Sequence, residues 1–151
     1  MWKTEFSKTT FAPPEKVWAH WATPETWNQW VSVFKWAKFF GPFEENTKGE
    51  VQMQNIPGLV GKYMSRKPQK WLITEISTNK VFNDYAPQFL AKVWFNHSLN
   101  IDSEGKTIVT IQIKITGFLS VFYGALVGKI FKRILPEAIS KLIQLIESEK
   151  K

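Results

Sequence analysis

The chain of 151 residues, 44% apolar and 15% aromatic, is long and apolar enough for one domain with a buried core, which excludes extended disorder. It has no cysteine, which removes disulfides, thiolate zinc sites and cysteine nucleophiles and fits a reducing compartment. A net charge of +7 and a pI of about 9.6 favour anionic partners such as nucleic acid, acidic lipid headgroups or carboxylates.

Met1–Glu5 runs directly into charged, alternating sequence without an apolar leader, so no signal peptide is read and a cytoplasmic location is expected. Trp2–Phe11 alternates apolar and polar residues and predicts a half-buried strand. Pro13-Pro14-Glu15 then predicts a helix start, because proline suits the first turn and an acid there suits the helix dipole. Thr23-Pro24-Glu25 repeats that grammar with a hydroxyl N-cap, so two short helices are expected. From Lys35 onward the signals are strands and turns: KWAKFF, KGEVQMQNI, KYMSR, KWLITEIS, KVFNDYA, AKVWFNHSLNI and TIVTIQIKIT. Ser103-Glu104-Gly105 marks a hairpin between the last two. Their inward sets are Val93, Phe95, His97, Leu99 and Ile101 against Val109, Ile111, Ile113 and Ile115, which makes the sheet dry on one face.

From Leu119 to Glu149 the apolar period becomes about 3.6 residues, predicting a long amphipathic helix. Pro136 is expected to kink or split it, and Gly124 and Gly128 to weaken its first half. The apolar run Gly117–Gly128 falls short of the roughly 20 residues of a membrane-spanning helix.

The stretch FAPPEKVWAHWATPETWNQW resembles the opening of the polyketide cyclase/dehydrase and lipid-transport family of the START-like (SRPBCC) superfamily, through Ala12, Pro13, Val17, Trp18, Pro24, Trp27 and Trp30. GPFEENTKGEV resembles the glycine-containing hairpin of that family, and HSLNIDSEGKTIVTIQIKITG its paired late strands. The likeness covers nearly the whole chain and implies one α+β domain over residues 1–151 with the helix-grip fold. In that fold a curved antiparallel sheet of about six or seven strands, with two short helices after the first strand, grips a long C-terminal helix around an apolar cavity. Members of the superfamily include carriers, cyclases, co-chaperones and receptors, so function must be argued from the site.

Several chemistries fail on the residues. His20 and His97 are the only histidines, too few and too far apart for a metal site, and no metal or other cofactor is implied. No nucleophile elbow is present, and Gly58–Tyr63 lacks the Walker pattern and reads as a hairpin turn. Asn96-His97-Ser98 matches a glycosylation sequon but lies on a strand without an export signal. His97 points inward between Phe95 and Leu99, either as a satisfied core histidine or as an acid–base or hydrogen-bonding group toward a ligand. His20 reads as a surface residue. Asp84 and Tyr85 alternate on one strand, so one faces in, and the sequence leaves open which; an inward Tyr85 would give the pocket a hydrogen-bonding hydroxyl.

The expected function is therefore binding or transport of a small hydrophobic, lipid-like or aromatic molecule. The alternative is a cofactor-independent cyclase/dehydrase-type enzyme, with His97 or a pocket tyrosine or aspartate as acid–base group. Trp18 and Trp21 are expected in the core, and Trp27, Trp30 and Phe34 near the ligand. Tyr85, Phe95, His97, Ile111 and Ile113 of the strands, and Leu126, Ile130 and Ile134 of the helix, are also expected around it. Nucleic-acid binding is not expected, since the aromatics sit mostly at inward or helical-core spacings. Lys62, Arg66, Lys67 and Lys70 are read as a solvated surface, with transient contact to an acidic membrane as the alternative.

Overall fold

The computed structural model describes residues 1–149; Lys150 and Lys151, the last two residues of the expected domain, lie outside the described residues. Strand β1 (Trp2–Thr10) alternates as expected, with Trp2, Thr4 and Phe6 half-buried and Lys3, Glu5 and Ser7 exposed. Pro13 caps helix α1 (Pro14–Trp21) with extended backbone, and Pro14 takes the first turn, where no intrahelical N–H is needed.

The second short helix, Pro24–Gln29, is a single 3-10 piece, and Thr23 does not cap it. Its hydroxyl instead donates to the Ala19 carbonyl at 2.7 Å and closes the end of α1. A six-residue segment between two chain reversals suits the tighter helix, which is used in short pieces.

Strands β2 (Phe34–Phe39), β3 (Lys48–Met53), β4 (Gln69–Ser77), β5 (Val81–Gln88), β6 (Ala91–Ile101) and β7 (Thr107–Thr116) join β1 in one seven-stranded, curled antiparallel sheet of order β1-β7-β6-β5-β4-β3-β2. The β6–β7 register opposes Phe95 to Ile113 and His97 to Ile111, so the expected inward sets share the dry face. Ile101, expected with them, lies past the core at the strand end and is exposed. The hairpin turn is held by Asp102, whose carboxylate accepts from the backbone N–H groups of Glu104 and Lys106.

Gly58–Met64 forms a helix, α2, where the sequence suggested a hairpin turn followed by a strand through Lys62–Arg66. Two glycines behind a proline mimic turn chemistry, and seven residues are too few to display a helical period. Gly61 is what lets this helix fold back: a Cβ there would overlap the Ile56 carbonyl.

Helix α3 (Ser120–Ser148) packs across the sheet as one element with Pro136 inside it; the expected split is absent. Proline forfeits one intrahelical bond, but Leu135, Ala138, Ile139 and Leu142 around it are all buried, and their packing holds the helix together. Gly124 and Gly128 serve close approach: the Trp2 indole lies on them, and a Cβ at either would come within 2.7 or 2.8 Å of its ring. Trp2 in turn tilts against Phe131, so β1 is keyed to the first half of α3.

Candidate functional site

A cavity of about 490 Å³ lies between the inner face of the sheet, the 3-10 helix, α2 and the first two-thirds of α3. Its walls are overwhelmingly aliphatic and aromatic because the inward residues of β3, β6 and β7 alternate with polar ones that face water. Trp27, Trp30 and Phe34 line it, as do Phe95, His97, Ile111 and Ile113 from the strands and Leu126 and Ile134 from α3. Ile130 does not reach the cavity; it is half-buried against the core.

Tyr85 is on the other side of the sheet. The β5 register opposes Asp84 to Ile73 and to Phe95, both inner-face positions, so Asp84 turns in and Tyr85 turns out. The Tyr85 ring packs on Trp94 at 4.9 Å, with the Lys92 ammonium 4.8 Å from the Tyr85 ring centre and Lys114 5.7 Å from that of Trp94. The outer face thus carries two rings covered by two lysines, an exception to the inward placement of the aromatics expected from the sequence.

His97 is buried, and its Nδ1 lies 2.8 Å from the Phe82 carbonyl, so Nδ1 carries the hydrogen and donates, which leaves the Nε2 lone pair as the imidazole's acceptor. Its ring stacks on Phe82 at 4.5 Å and meets the edge of Trp21 at 5.1 Å. Burial pushes its pKa down to about 4, so it is neutral at pH 7. Asp84 is 5% exposed, one carboxyl oxygen has no partner, and burial pushes its pKa well above the usual carboxylate range.

The structure adds residues that the sequence did not suggest. Trp21, expected as core only, lines the cavity, whereas Trp18 packs against Phe43 at 5.4 Å away from it. Trp71 of β4 lies over Gly49 of β3, whose hypothetical Cβ would meet the indole at 2.5 Å. The indole N–H groups of Trp21, Trp30 and Trp71 are buried without an acceptor, while that of Trp27 donates to the His20 and Trp21 carbonyls. No spacing along the chain brings Trp21, Trp71 and Asp84 to one cavity; strand pairing places Trp71 and Asp84, and the packing of α1 on the sheet places Trp21.

The cavity opens between α2 and the start of α3. Leu59, Tyr63, Phe122 and Leu126 line it and are also exposed, Leu59 by 84%. The β5–β6 turn joins this rim: the Leu119 N–H donates to the Leu90 carbonyl, and the Tyr123 hydroxyl to the Phe89 carbonyl. Phe89, Phe118 and Val121 are exposed there too, with Lys62, Arg66 and Lys129 exposed beside them. Among the described residues no helix is long and apolar enough to cross a membrane, and no three His, Asp or Glu side chains come together as a metal site.

The architecture matches several solved structures at low sequence identity. Protein NE0264 from Nitrosomonas europaea superposes with a TM-score of 0.73 at 14% identity, over 98% of this chain and 96% of that one. Ara h 8.0201 gives a TM-score of 0.69 at 12% identity, over 98% and 99% of the two chains. The chain has the START-like helix-grip fold. DynU16, a putative protein of the dynemicin biosynthetic locus, shares it with a TM-score of 0.66 at 12% identity, over 96% of this chain and 47% of that one. No protein-family model matches the sequence, and no curated protein matches it. At these identities the helix-grip likeness speaks for the fold, and the site must speak for function.

Proposed function

We propose that this helix-grip protein is a one-domain cytoplasmic module that binds or carries a small hydrophobic, lipid-like or aromatic molecule in its cavity. The observation that carries this reading is the size and lining of that cavity. About 490 Å³ falls within the range of roughly 300 to 1,000 Å³ usual for small-molecule sites, and a few polar groups sit in an otherwise apolar wall. The exposed apolar rim with its flanking cations supports transient contact with an acidic membrane surface, where an apolar cargo would be exchanged. Native mass spectrometry after mild purification, together with titration of Nile red, tests the reading: a stoichiometric apolar adduct or saturable fluorescence is expected, and exclusion of every apolar probe would overturn it.

A second reading, a cofactor-independent cyclase/dehydrase-type enzyme, is favoured by one observation: Asp84 and His97 both line the cavity. Against it, an imidazole pushed down to about 4 is a weak base at neutral pH. If it is an enzyme, His97→Ala should lower turnover by about two to four orders of magnitude. A carrier loses at most modest affinity.

A further inference from the structure

Besides Gln69 and Gln88, whose side chains hydrogen-bond to each other, the polar groups in the cavity wall include Asp84, His97 and the indoles of Trp21, Trp30 and Trp71. On the inner face Asp84 opposes Ile73 of β4 and Phe95 of β6, so Trp71 and His97 are its diagonal neighbours at roughly 7–8 Å, one on either side of it along β5. Trp21 meets the His97 ring edge, and Trp30 lines the same cavity. Of these groups, three buried indole N–H donors and one carboxyl oxygen have no partner among the described residues. Elsewhere two buried threonine hydroxyls are paired: Thr107 donates to the Ala12 carbonyl at 2.6 Å and Thr10 to Glu147 at 3.0 Å. Buried donors without acceptors are costly, and a cluster of them in the wall of a cavity is what a ligand's polar group would satisfy.

We propose that Trp71, Asp84 and His97, with the indoles of Trp21 and Trp30, form a recognition site for the neutral oxygen-bearing end, hydroxyl or carbonyl, of an otherwise apolar ligand. This deepens the binding reading and rests on it. The charge inventory selects the chemistry. Among the described residues no lysine or arginine lines the cavity, so a carboxylate or phosphate end would enter with no counter-charge from them and face Asp84. An ammonium could pair with Asp84 but has no lone pair for the indoles, whose donors would stay unsatisfied. A hydroxyl or carbonyl oxygen accepts from indole N–H groups, and a hydroxyl also donates to the free imidazole Nε2. Burial favours the neutral acid form of Asp84, which can then donate as well as accept.

The test is displacement of Nile red at neutral pH by decane, decanol, decanoate and decylammonium, from the wild-type protein and three variants. Decanol is expected to bind at least about tenfold more tightly than either charged analogue. The decanol-to-decane affinity ratio should fall about tenfold in Asp84→Leu, be restored by Asp84→Asn, and fall about threefold in Trp71→Phe, where the lost ring volume acts on both probes and the lost indole donor on decanol alone. A preference for decylammonium that Asp84→Asn abolishes would overturn the proposal in favour of a cation site. A ratio unchanged in both Asp84→Leu and Trp71→Phe would overturn it outright. In either of these cases decane still displaces the dye and the binding reading stands; if no decyl compound displaces it and no dye binds, that reading fails first.

Discussion

The two ends of α3 show what this helix does. From Ile139 to Ile146 its inner face is sealed against β1, β7 and α1, with Ile139, Leu142 and Ile146 fully buried beside Val17 and Val109. There each buried hydroxyl has a partner, through Thr107–Ala12 and Thr10–Glu147, and His20 meets the Glu149 carboxylate at 3.2 Å. From Val121 to Leu126 the same apolar period continues, but Phe122 and Leu126 are exposed at the rim, and the polar atoms behind them in the cavity are unpartnered. One end is built for stability and the other accepts unsatisfied groups and exposed rings, a cost that is reasonable only where something else is to be bound.

The sharpest way to break this comparison is to truncate each end equally. Leu142→Ala should cost about 2–5 kcal/mol in urea unfolding and Leu126→Ala less than about 1 kcal/mol. Equal losses would show that the open end is packed after all. Protonation is the next largest lever. His97 has a folded pKa of about 4 against an ordinary 6.5, so the unfolded chain binds its proton first and stability falls as pH drops through that window, by up to about 3 kcal/mol. Asp84 acts in the opposite sense, since its raised folded pKa gives stability that is full below about 3.8 and lost as pH rises. Asp84→Asn should therefore unmask a rise in the urea midpoint from about pH 4 to 6.5, and His97→Gln should abolish that rise. A flat profile in Asp84→Asn would refute the assignment.

A smaller contrast separates paired from unpaired polar atoms. Thr107→Val strands the Ala12 carbonyl and should destabilise by about 1–3 kcal/mol, whereas Trp71→Phe removes an unsatisfied donor and should cost less. The smallest effect on stability is expected at the rim: Phe122→Ser should leave unfolding within about 0.5 kcal/mol of wild type. The same change should weaken sedimentation with anionic vesicles about tenfold. Undiminished vesicle binding would remove the rim from the proposed membrane contact.

Much of the fold was legible because burial leaves a period in the chain. Alternation in β1, β6 and β7 put Phe95, His97, Ile111 and Ile113 on the inner face, Pro13-Pro14 announced α1, and the 3.6-residue stripe announced α3. Those signals are local, and tertiary structure had no reason to overrule them. Other features were decided by tertiary contacts. The order of Asp84 and Tyr85 was beyond the sequence because Val81 and Phe82 are both apolar, and a shift of one residue exchanges the faces of a strand. Pairing to β4, across the irregularity between Ile73 and Glu75, and to β6 made that choice. Likewise Gly124 and Gly128 read as weak points in the sequence, whereas in the fold Trp2 packs on both. Periodicity along the chain determined which faces are apolar; the register between strands decided which polar atoms meet inside, because the partners of Asp84 lie on strands that no local pattern connects.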